Sequence, residues 1–183
     1  ARSSLEKLGT EYVDLLLVHW PEQDVPIRET MRAFRELKDE GKIRAIGVSN
    51  FEPRQLEEAL ETEPDVITDQ VEMHPFLHQN ELHRFCREHG PLLTAYSPLA
   101  RGRVMGHETL QDIAERYDRS EAQVALRWLL QKEQVITIPK ASTPSHIRDN
   151  FGALDFELDE EAVERIDAIQ ERHRCVDPGF APW

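Results

Sequence analysis

Cysteine is nearly absent from these 183 residues. Cys86 and Cys175 are the only two, no C-x-x-C spacing occurs, and neither a disulfide framework nor a zinc knuckle is indicated. Lysine is scarce as well, with five residues against 17 arginines, and the two together make 22 cations against 35 Asp and Glu. The formal charge of −13 argues against a nucleic-acid groove or an anionic membrane surface as partner. A solvated acidic shell with few lysines hints at a salt-rich cytoplasm. No run reaches the roughly 18 apolar residues of a membrane span, and the opening ARSSLEKLG lacks the apolar core of a signal peptide. A soluble, cytoplasmic chain is therefore expected, long enough for one domain with a sizeable core.

Apolar runs of strand length alternate with segments of helical period. The runs are VDLLLVHW (13–20), IRAIGVSN (43–50), VITDQVEM (66–73), LLTAYSPL (92–99) and VITIPKAS (135–142). They show little strict alternation, as expected of strands covered on both faces. Between them RETMRAFRELKDEGK, PRQLEEALE, NELHRFCREHG, ETLQDIAERY and SEAQVALRWLLQK place apolar residues three and four apart, as in Met31, Phe34 and Leu37. Gly41 and Gly90 mark helix ends, Pro53 and Pro144 helix starts, and Ser120 with Gln123 a capping box. Strand and helix in unbroken alternation predict an α/β fold of parallel strands with right-handed crossovers, either a barrel or a doubly wound sheet.

The strand ends separate those two architectures. They read His19-Trp20, Ser49-Asn50, Gln70, Tyr96-Ser97 and Lys140, all polar or aromatic, and the C-terminal ends of parallel strands are where chemistry gathers. A dinucleotide-binding doubly wound fold calls for G-x-G-x-x-G after its first strand, and that string is missing. A barrel rim is the better expectation, with His19 facing a pocket.

SLEKLGTEYVDLLLVHWP, GVSNF (47–51), DQVEMHP (69–75), AYSPLARG (95–102) and IPKASTPSHIRDN (138–150) resemble, in order and spacing, the motifs of the aldo-keto reductases. The resemblance implies a (β/α)8 TIM barrel that binds extended NADP(H) without a Rossmann domain and reduces aldehydes or ketones. It implies that His19 donates a hydrogen bond to the substrate carbonyl, where negative charge develops, and that Trp20 walls the substrate pocket. Ser49, Asn50 and Gln70 match residues that hold the nicotinamide carboxamide, which needs both donors and acceptors. Asp69 stands where relatives often carry Asn, so carboxamide binding is expected to differ slightly. Tyr96 matches the aromatic that stacks on the nicotinamide ring, with Ser97 beside it. Leu99 to Arg103 are expected to close over the pyrophosphate.

The adenosine end is expected on Lys140, Ser142, Thr143, His146, Asp149 and Asn150. Thr143-Pro144 reads as the cap and first residue of a helix whose N-terminus favours phosphate, with Lys140 adding a full charge. The family's arginine six residues after that lysine is His146 here, a weaker and titratable partner for a 2′-phosphate, with Arg148 a turn away as a substitute. NADP(H) binding with reduced discrimination against NAD(H) follows.

Three further expectations complete the reading. His74, His78 and His83 are solvated or capping residues without a zinc set, because Pro75 breaks any shared helix face and no acid or cysteine completes the group. Phe180 and Trp183 either cover the pocket or pack under the barrel helices. The family's catalytic Asp, Tyr and Lys lie upstream of the helix SLEKLG resembles, so the chain is expected to hold strands four to eight of a barrel that spans ~250 residues. Two functions stay open: a reductase of small carbonyl compounds, or a barrel portion that binds coenzyme or another chain without hydride transfer.

Overall fold

A computed structural model describes residues 1–183. Five strands, β1 (Val13–Val18), β2 (Ile43–Ser49), β3 (Val66–Glu72), β4 (Leu92–Tyr96) and β5 (Val135–Thr137), pair in parallel and lie in chain order. Around them run α1 (Arg2–Leu8), α2 (Ile27–Asp39), α3 (Pro53–Thr62), α4 (Asn80–His89), α5 (Glu108–Tyr117), α6 (Glu121–Leu130), α7 (Pro144–Phe151) and α8 (Glu160–Asp167). Strands in simple succession with right-handed crossovers place every connecting helix on one face, which is the winding of a barrel and not of a doubly wound sheet.

Burial on the two faces agrees. The row Val18, Val48, Asp69, Leu93, Val135 runs across all five strands in register, and each of these residues is buried against the helices. On the opposite face Ser49, Gln70, Thr94 and Ile136 form a row, with Leu92 and Thr68 paired one step below. There Leu92 and Ile136 are 37% and 44% exposed. The apolar core therefore lies between sheet and helices, and the expectation that both strand faces are covered is corrected in part: on the face lining a barrel interior Ser49, Thr68 and Thr94 are buried, whereas Leu92 and Ile136 stand open. Gly47 sits on that inner face because a Cβ would stand 2.4 Å from Leu17 Cδ2 and 3.2 Å from the Thr68 carbonyl oxygen.

Local signals placed most elements. Pro53 opens α3, Thr143 caps α7 by accepting from the His146 N–H, and the Ser120/Gln123 capping box opens α6. Gly90 closes α4 in the left-handed region at φ 105, where a side chain would be strained. β5 is shorter than its apolar run, ending at Thr137; Pro139 lacks the N–H a further ladder step needs. Helix α8 was not anticipated from sequence. Its signal is Asp159, whose carboxylate accepts the Ala162 N–H, followed by buried Ala162 and Ile166 four apart. The histidine reading also changes: His74 and His78 are buried, bonded to Glu72 and to the Pro75 carbonyl respectively, while His83 is half-buried and bonds the Glu133 carbonyl.

Candidate active site

Asn50 follows β2 in the left-handed region, φ 62, which asparagine tolerates better than most side chains. That turn buries its amide among the strand ends. Nδ2 donates to the His19 carbonyl at 3.0 Å and to Ser49 Oγ at 3.1 Å, Oδ1 accepts the Tyr96 hydroxyl at 2.8 Å, and the Asn50 N–H reaches the Gln70 carbonyl at 3.0 Å. Ser49 Oγ donates to the same Gln70 carbonyl at 2.7 Å. One residue thus ties together the ends of β1, β2, β3 and β4. Both amide hydrogens of Asn50 are used, whereas the half-buried Gln70 side chain is not drawn into this network.

Beyond the network, His19 leaves the top of β1 exposed and Trp20 stands beside it, ring centroids 6.2 Å apart. The two residues line a cavity of about 540 Å³ together with Pro21 to Asp24 and Phe180. The C-terminal segment reaches over this cavity: Phe180 meets Trp20 edge to face at 5.3 Å and Trp183 lies 5.4 Å from it. Of the two placements open to the tail, the pocket wall is the one adopted. Trp20 and Phe180 give the recess two aromatic walls, and His19, Glu22, Gln23 and Asp24 line the rest with hydrogen-bonding groups.

A parallel barrel arc with its polar strand ends converging beside such a recess is the setting in which the sequence comparisons fall. The aldo/keto reductase family model matches residues 1–171. The chain belongs to the aldo/keto reductase family. It is 46% identical to the glyoxal reductase of Bacillus subtilis (strain 168), over 93% of this chain and 62% of that protein. It is 41% identical to the 9,11-endoperoxide prostaglandin H2 reductase of Trypanosoma cruzi (strain CL Brener), over 93% of this chain and 61% of that protein. Among solved structures, a putative 2,5-diketo-D-gluconic acid reductase B superposes with TM-score 0.93 at 39% identity, covering 98% of this chain and 65% of that one. The chain spans a little under two thirds of the length of these relatives, and the five strands form the corresponding arc of the aldo/keto reductase TIM barrel.

The other positions carried over from the family are placed as follows. Lys140, Ser142, Thr143 and His146 are exposed around the start of α7, where Thr143 caps the helix and shares a 3.0 Å contact with Ser145 Oγ. Asp149 is turned the other way. Its carboxylate accepts from Ser120 Oγ at 2.8 Å and its carbonyl from Gln123 Nε2 at 2.9 Å, so it fastens α7 to the cap of α6. Asn150 lines an apolar groove with Ile147, Phe151 and Leu154. Ser97 adopts φ 48 and Leu99 packs on the core, together setting the tight turn before Arg101 and Arg103. Asp69 faces the helices, not the mouth, which corrects the expectation that it touches the carboxamide.

No tyrosine of the chain stands ready as a proton donor. The Tyr96 phenol is pushed up to about 12, by burial first and by the Glu72 carboxylate second, with Arg174 pulling the other way. Tyr12 lies under the Arg44 guanidinium and the Tyr117 hydroxyl accepts the Asp159 N–H. Sequence reasoning missed Glu72, which is buried at the end of β3 with His74 and Cys175 around it. Its partners lie 103 and 104 residues downstream, and no local pattern announces such contacts.

Proposed function

We propose that the protein reduces an aldehyde or ketone to an alcohol with NADP(H), and that this chain contributes the nicotinamide seat and one wall of the substrate pocket. The observation that carries the reading is the Asn50 network, which draws four strand ends together below His19 and Trp20. The bound coenzyme supplies hydride. The Gln70 amide offers the donors and acceptor a carboxamide requires, and the Tyr96 ring, held by its hydroxyl, offers a flat stacking face. Lys140 and the Thr143-capped start of α7 suit an anionic group, by charge and by unpaired N–H groups. His19 donates to the carbonyl oxygen as it gains charge, and Trp20 with its aromatic neighbours excludes water.

The test is oxidation of NADPH against a panel of aldehydes that includes glyoxal. Steady turnover is expected, and His19→Ala is expected to lower kcat by about 10²-fold, the usual effect of removing one donor to a developing oxyanion. Coenzyme quenching of tryptophan fluorescence without turnover would instead favour a coenzyme-binding role alone. That second reading rests on the tyrosines, none of which is placed and poised to give a proton. With His146 in place of arginine, NADPH and NADH are expected to bind within about tenfold of each other, a gap of 1.4 kcal/mol. His146→Arg should widen that ratio in favour of NADPH, and strong NADPH selectivity of the unmodified protein at neutral pH would refute the role given to His146.

A further inference from the structure

Glu72 ends β3 beside Tyr96, 1% exposed, and carries three hydrogen bonds on two oxygens. Oε1 lies 2.8 Å from His74 Nε2 and 2.6 Å from the Cys175 N–H nitrogen; Oε2 lies 2.8 Å from that of Val176. His74 Nδ1 accepts the Phe76 N–H at 3.2 Å, so the ring hydrogen sits on Nε2 and the neutral imidazole donates to Glu72. Glu72, His74 and Cys175 have ligand atoms within 4.8 Å of one another, the spacing of a cation site. Both ring nitrogens and both carboxylate oxygens are already engaged with protein groups, however, and the cluster grips polypeptide. Burial pushes the Glu72 carboxyl up, but the His74, Cys175 and Val176 bonds outweigh it and leave the group ionised, the strong form of the acceptor.

What the grip holds is the C-terminal segment. A further tie runs from the His173 N–H to the Phe76 carbonyl at 3.1 Å. Past Val176 the chain folds on itself, through Ala181 N–H to the Pro178 carbonyl at 2.9 Å and Trp183 Nε1 to Asp177 at 3.0 Å, while Arg174 lies 3.7 Å over the Trp183 ring. This small unit has few other ties, so where residues 175 and 176 sit decides where Phe180 and Trp183 meet Trp20.

We propose that Glu72 is a positioning residue: its carboxylate seats the C-terminal segment so that Phe180 and Trp183 wall the Trp20 pocket and set which carbonyl compounds fit. The pocket half of this rests on the reductase reading above; the seating half does not. Glu72→Gln keeps the volume but turns an amide N–H toward a backbone donor. In the intact protein, thiol labelling of Cys175 and amide exchange at 175 and 176 are expected to speed up by about tenfold or more, as for loss of one hydrogen bond to a charged group. Buried Cys86 should stay protected and serves as the monitor of global unfolding. The KM for carbonyl substrates should rise while the KM for NADPH stays put.

Should Cys86 become reactive, the variant has unfolded, and Val176→Pro then carries the test by deleting one donor outside the core. Unchanged labelling and exchange at the tail in a folded variant overturns the seat. A loosened tail with unchanged carbonyl KM overturns the pocket role. A loosened tail in a protein that turns over no carbonyl leaves the seat standing and refutes the reductase reading instead.

Discussion

Asp69 is the one charged residue in the helix-facing row of Val18, Val48, Leu93 and Val135, and it is fully buried. Neither carboxylate oxygen has a hydrogen-bond partner, although the Phe51 N–H lies near enough to ease the charge slightly. Burial holds its carboxyl well above the ordinary carboxylate range. A raised folded-state pKa means that the folded chain keeps a proton the unfolded chain gives up. Stability therefore falls as pH climbs from the ordinary carboxylate range through the raised value. Asp69→Asn removes that slope. Thermal melts at pH 5 and pH 8 should show the variant gaining on the parent at the higher pH, by about 2–4 °C for each kcal/mol relieved. An equal difference at both pH values would mean that the group titrates normally.

At the scale of elements, one of the two side chains that join α6 to α7 is a hydroxyl with two tasks. Ser120 Oγ caps α6 by accepting the Gln123 N–H and donates to Asp149 on α7. Ser120→Ala should cost about 1–2 kcal/mol, the loss of a cap with its added bond, seen as a Tm lower by several degrees. Asp149→Asn should cost less, because the Gln123 bond to the Asp149 backbone survives. Between strands, Gly47→Ala drives a methyl into Leu17 and the Thr68 backbone. A loss of about 1–3 kcal/mol is expected for such overpacking, measured by denaturant unfolding. A neutral effect would show that β1 and β3 give way more easily than their packing implies.

For the molecule as a whole, the partly open inner face is the dominant feature. β1 and β5 are the sheet edges, Leu15, Leu92, Ile136 and Ile138 are each more than a third exposed on or beside that face, and Ile147, Phe151 and Leu154 open a groove near β5. Unpaired edges beside apolar surface favour association. The 183-residue chain by itself is expected to self-associate with rising micromolar concentration, which sedimentation velocity would detect; a monomer throughout would contradict it. No helix is long and apolar enough to cross a membrane. The charge of −13 with only five lysines predicts that molar KCl raises the Tm, and a melt insensitive to salt removes that expectation.

The residues alone determined the order and start of every strand, the helix start at Pro53 and the helix caps at Ser120 and Thr143, because those signals are local in chain and chemistry. They left α8 unread and misplaced Asp69, His74 and His78, whose surroundings come from distant segments. Only the tertiary structure decided that Asn50 spends its amide on its neighbours, that Glu72 grips residues 103 and 104 positions away, and that Phe180 and Trp183 close on Trp20. Hydrogen-bond partners across the sheet are set by register and winding, and these emerge only when strands far apart in sequence are packed side by side.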